Sequence, residues 1–157
     1  MNVRRYLLQT TVVLFAATAW LGCDKDDDDD MSNTYTLSGP ASGTQERPTP
    51  VTTNATGTIS GTYNQDTKVL DYMIMWNNLS TVPSAMHFHG PAGPEEAAPP
   101  VVTITDFPLQ TTAMHSDKDT LTAEQETQLL TGKWYYNIHT ETYGGGEIRG
   151  QITATAD

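Results

Sequence analysis

The chain has a single cysteine, Cys23, in 157 residues. No intramolecular disulfide can form, so the fold must be held by its apolar core alone. Positive charge is scarce. Eight Lys and Arg stand against 19 Asp and Glu, for a formal net charge of −11, which argues against nucleic acid or an anionic membrane surface as partner. The longest apolar run, Leu7 to Leu21, is short of the roughly 20 residues that a comfortable membrane span needs. No nucleophile–base pair is visible. Ser84 and Ser116 have no motif around them, so the chain is read as non-enzymatic.

Arg4 and Arg5 precede that apolar run, which closes on Trp20-Leu21-Gly22-Cys23. The arrangement resembles a bacterial lipoprotein signal, with Trp20 departing from the usual leucine. The resemblance implies that residues 1–22 are removed and that Cys23 is lipidated and anchored in the bilayer. The alternative is an ordinary secretory signal followed by an incidental cysteine. Residues 23–33 read as a tether. Asp24 to Asp30 holds six carboxylates in seven residues, which repel one another and stay solvated. The run lacks the fixed geometry of a calcium loop. It also resembles the acidic export signal of surface lipoproteins, which implies an outer-membrane lipoprotein displayed on the cell surface. Residues 1–22 carry two arginines and no acids, so the mature charge is −11 − 2 = −13.

Residues 34–157 are one domain's worth. Short strands separated by turn signals predict an all-β domain, a Greek-key β-sandwich with one short helix. Tyr35–Leu37 is the first strand, and Gly39 to Asn54 reads as a long loop. Thr56–Tyr63 alternates and ends in a turn at Asn64-Gln65-Asp66. Val69–Trp76 carries Leu70, Tyr72, Ile74 and Trp76 on one face and Met73 and Met75 on the other, and is expected to be central and covered on both sides. Ser84–His89 and Val101–Thr105 are strands, whereas Phe107 to Thr120 gives no clear pattern. Thr122 and Gln125 form a capping box for a helix over 123–131, with Gly132 as its stop. Trp134–Thr140 and Glu147–Thr153 read as a hairpin around Gly144-Gly145-Gly146.

Side chains alternate faces along a strand. Met86 and Phe88 point one way, and His87 and His89 the other. Tyr136 and Ile138 oppose Asn137 and His139. Cross-strand neighbours share a face. If Ile138 and Ile148 both enter the core, the polar set Asn137, His139, Glu147 and Arg149 is left on the outer face, and a one-residue slip would bury charge.

Several blocks together resemble the CHRD domain, named from chordin. They are Leu37-Ser38-Gly39 with Glu46-Arg47-Pro48, Ala55-Thr56-Gly57-Thr58, His87-Phe88-His89-Gly90-Pro91-Ala92, Leu121-Thr122, Trp134 to Thr140, and Gly146 to Ile152. The resemblance covers about residues 34–155. Departures are the longer segment Pro40 to Thr44 and the Tyr143-Gly144-Gly145 before Gly146-Glu147. It implies an extracellular all-β domain of largely unknown biochemical role, and it does not imply an enzymatic activity.

Three roles fit the polar residues. His87, His89 and His139 could hold one copper or zinc ion, since imidazoles two residues apart on a strand lean together. Alternatively the polar residues form a structural network. Arg149 would bridge Glu147, Glu141 or Glu46, and Asn137 would tie down the Gly90–Pro91 turn. Thirdly, loops 40–54 and 91–100 could present a surface to an unknown extracellular protein or glycan. His115 reads as a surface residue. The leading reading is a surface-anchored extracellular binding or structural module, with the copper or zinc protein as the alternative.

Overall fold

A computed structural model describes residues 33–157. Residues 1–22, expected to be a signal, Cys23 with its expected lipidation, and the acidic run lie outside the described residues. The described chain forms β1 (Thr34–Ser42), a 3-10 turn (Gly43–Gln45), β2 (Thr56–Asn64), β3 (Val69–Asn77), β4 (Pro83–His89), β5 (Pro100–Ile104), β6 (Ala113–Thr120), α1 (Ala123–Leu130), β7 (Tyr135–Thr140), β8 (Ile148–Gln151) and β9 (Thr153–Ala156). The all-β class with one short helix is as expected. No described helix is long and apolar enough to cross a membrane.

The strands run in the order β5-β4-β7-β8-β1-β2-β3-β6, with β9 also paired to β1. Their pairings are antiparallel. β8 and β9 are almost one run, broken at Ile152: β8 bonds to β7, and β9 bonds to the first half of β1. The sheet curls on itself. Phe88 of β4 meets Tyr72 of β3 edge to face at 4.9 Å, although four strands separate β4 from β3 in the order.

The enclosed core follows from period-2 alternation. Ile59 and Tyr63, then Leu70, Tyr72, Ile74 and Trp76, then Met86 and Phe88, and finally Tyr136, Ile138 and Ile148 are all buried. Each such side chain contributes about 1.5–3 kcal/mol. Two polar atoms carried inward find backbone partners, while the Tyr63 and Tyr72 hydroxyls find none among the described residues. The Trp76 indole donates to Gln110 O at 2.8 Å, and the Tyr136 hydroxyl donates to Gly39 O at 3.0 Å. On α1 both halves of the capping box form, Gln125 N to Thr122 Oγ1 at 3.2 Å and Thr122 N to Gln125 Oε1 at 2.9 Å. Gly132 follows at φ +69°, the left-handed stop that glycine suits.

Three expectations need correction. The loop expected from Gly39 begins only after Ser42, because β1 pairs with β2 over its whole length, from Thr34↔Asn64 to Ser42↔Thr56. Ladder pairing overrides the turn propensity of Gly39-Pro40. β3 is not central: it lies next to the edge strand β6, paired to β2 on its other side, and is covered on one face only. Met75 is 40% exposed and lies opposite Met114, itself 56% exposed. Residues 113–120 are β6, an edge strand whose Ser116, Asp117, Lys118 and Asp119 suit an unpaired edge. His115 there turns inward, 6.4 Å from the Tyr72 ring, with its side chain only 9% exposed.

Candidate metal centre

β7 lies between β4 and β8. Tyr135 to Ile138 are all buried, so both of its faces are covered. The register matches the parity expectation: Ile138 pairs with Ile148, and Asn137 pairs with Arg149. On the other side His87 pairs with Asn137, and Ala85 with His139. These pairings set His87, His89, Asn137, His139 and Arg149 on one face of three adjacent strands. That face is not open. His89 is 6% exposed, Asn137 4% and Arg149 1%.

The covering comes from loops. Arg149 does not pair with Glu147, Glu141 or Glu46, and forms no ion pair among the described residues. It donates to Glu96 O at 2.6 Å and Gly93 O at 2.9 Å and lies 3.5 Å over the Tyr135 ring. Gln151 donates to Ala92 O at 2.9 Å and Gly132 O at 2.8 Å. Residues 91–99 are thus pinned over the polar face, where a buried guanidinium satisfied by carbonyls avoids an orphan charge. Glu147 is clamped by hydroxyls instead: Thr53 at 2.7 Å, Ser80 at 2.7 Å and Thr140 at 2.9 Å, with the Ser80 N–H added. Asn137 does not hold the Gly90–Pro91 turn; its Oδ1 lies 2.9 Å from His89 Nε2.

The three histidines converge. One ligating atom from each of His87, His89 and His139 lies within 4.8 Å of the others. His87 Nδ1 and His139 Nε2 are 3.2 Å apart. Donor atoms bound at 2.0–2.1 Å to one ion stand about 2.9 Å apart at a right angle and about 3.3 Å apart in a tetrahedron. A carbonyl only accepts, so the His89 Nδ1–H donates to Ala98 O at 2.8 Å and the His139 Nδ1–H donates to Gly144 O at 3.0 Å. Each bond fixes a tautomer whose Nε2 lone pair is turned inward, the usual second-shell arrangement for a ligating histidine.

Electrostatics hold the rings neutral. Burial lowers the pKa of His87, and the neighbouring His139 and His89 lower it further. Burial also lowers those of His89 and His139, opposed by their carbonyl bonds. Arg149 adds repulsion at His89, whose ring stacks on Tyr135 at 4.7 Å with 5° between planes. Neutral imidazole is the ligating form. His115 lies outside this group.

Glu46, 3% exposed, stands beside the same face with Oε1 buried and unpartnered. Desolvation raises its pKa to about 7 against the pull of Arg149 and Arg47. It also lines a pocket of about 200 Å³ with Arg47, Pro48, Val51, Tyr143 and Gly146. Sequence reasoning missed Tyr135, although its parity with Asn137 was a usable signal. It also missed the Ala98 and Gly144 carbonyls, for which side-chain patterns carry none.

The family model described as the CHRD domain matches residues 37–152, well over half of the chain. No curated protein and no solved structure matches it.

Proposed function

The chain belongs to the CHRD family, and on that premise we propose that it is an extracellular, non-enzymatic binding module whose working element is a copper or zinc centre formed by His87, His89 and His139. The observation that carries the reading is the convergence of three ring nitrogens within 4.8 Å, two of them on rings whose far N–H is fixed by a carbonyl. Imidazole sets suit copper and zinc. In this reading the module is a lipoprotein held at the outer membrane through Cys23 and displayed outward; the basic, apolar and small-residue sequence before Cys23 supports the anchor.

Isothermal titration of the detergent-solubilised chain with Cu²⁺ and Zn²⁺ tests the centre. One ion should bind, raise the melting temperature, and lose affinity as pH falls below the histidine range. The double substitution His87→Ala with His89→Ala should abolish the shift and leave only weak binding by the acidic run. A purely structural role predicts the opposite: no metal-dependent shift in the unaltered chain, and lower stability in the double variant from orphaned Ala98 and Asn137 groups. Absence of binding at micromolar protein would retire the metal reading.

A further inference from the structure

Asn137 Oδ1 lies 2.9 Å from His89 Nε2. That ring has already committed its proton to Ala98 O, so in neutral His89 the Nε2 is a lone pair. Two acceptors therefore face each other, in a buried place where an unrelieved polar clash is costly. His139 Nε2 turns a third lone pair toward the same region, because its proton is on Gly144 O. His87 Nδ1 stands 3.2 Å from that Nε2. A neighbourhood of converging acceptors calls for a cation. The 2.9 Å separation also matches the edge between two ligands at a right angle around an ion, about 2.9 Å for bonds of 2.0–2.1 Å.

The other end of the Asn137 amide is packed beside Gly146. Asn137 Nδ2 and Glu46 Oε1 crowd the same point beside Gly146, at 2.8 and 2.5 Å from where a Cβ would stand. Glu46 Oε1 is buried with no partner, so the two atoms crowd Gly146 without a hydrogen bond between them. Only glycine at 146 leaves room for both groups.

We infer that Asn137 Oδ1 is a fourth protein ligand of the histidine centre, its amide packed beside Gly146 and Glu46. The inference rests on the metal reading above and adds a selectivity. A set of three imidazoles and one amide oxygen suits a divalent ion of intermediate softness and disfavours a soft monovalent ion such as Ag⁺.

The test compares the unaltered chain, Asn137→Ala and Asn137→Asp, each as the detergent-solubilised full chain checked for fold by circular dichroism. Cu²⁺ and Ag⁺ are titrated separately, and the Cu²⁺ forms are examined by electron paramagnetic resonance. Asn137→Ala should weaken Cu²⁺ at least tenfold, leave Ag⁺ within about twofold, and alter the copper spectrum. Asn137→Asp keeps an oxygen at the position and should recover Cu²⁺ affinity, with a spectrum still distinct from that of the alanine variant. If Asn137→Ala does not fold, the aspartate variant decides: lost affinity in a folded protein overturns the inference. Equal affinity and an identical copper spectrum across the Asn137 variants overturn it too, with the histidine centre intact. If the unaltered chain binds no Cu²⁺, the metal reading itself has failed, and this inference with it.

Discussion

Glu46 has a carboxyl that is 3% exposed, with one oxygen unpartnered and a pKa raised to about 7 by desolvation. The unfolded chain ionises it near the ordinary carboxylate value, 4.5. Between those values the folded state binds the extra proton, so stability falls as pH rises from about 4.5 to about 7 and stays lower above. A shift of that size is worth about 3 kcal/mol. Glu46→Gln should therefore melt at nearly the same temperature as the unaltered chain at pH 5 and clearly higher at pH 8, read by thermal denaturation at both. The histidines act in the opposite sense. Their folded pKa values are lowered, so below about 6.5 the unfolded state binds more protons and stability falls with acid. Gly146 offers a backbone test. Its φ is +125°, and an added Cβ would stand 2.5 Å from Glu46 Oε1. Strain and overpacking each cost about 1–3 kcal/mol. Gly146→Ala should then lose about 3 kcal/mol or more in chemical denaturation and disturb the Asn137 amide.

At the scale of elements, the β7–β8 hairpin shows why much of the site was legible. Ile138 and Ile148 can enter the core together in one parity only, and that parity carries Asn137, His139 and Arg149 to one face without further information. The H-x-H of β4 then needs only a neighbouring strand to become a cluster, and the pairing Ala85↔His139 provides it. What could not be read was the covering of that face. Arg149 looks like a partner for carboxylates, yet its donors go to the carbonyls of Gly93 and Glu96, groups that every residue owns and no side-chain pattern reveals. β6 was illegible for a different reason: as an edge strand it has one exposed face and few apolar residues to mark a period. α1 was the easiest element, since its capping box is written in Thr122 and Gln125. Thr122→Ala removes the acceptor for Gln125 N and should cost about 1 kcal/mol. The melting temperature checks it, and no change would mean that packing of Leu129 alone fixes the helix.

At the scale of the whole molecule, the charge is distributed in a way that fits a tethered module. Six of the 19 acidic residues fall within Asp24–Asp30. In the proposed topology ten residues, 24–33, could reach at most about 33–36 Å. The run would then hold an acidic domain off an anionic surface while the lipid on Cys23 kept it there. A single acyl chain anchors only marginally, so the proposal needs the multiple acylation of a lipoprotein cysteine. Cys23→Ser should move the protein from the membrane pellet to the soluble fraction, and mass spectrometry of the unaltered chain should find lipid on an N-terminal Cys23. The acidic run carries a separate expectation. Replacing Asp26 to Asp30 with Ser should leave the protein membrane-bound but shield it from protease added to intact cells, if those carboxylates direct it outward. Full protease sensitivity in that variant would reduce the run to a spacer, and protection of the unaltered protein would assign the module to the inner face of the outer membrane.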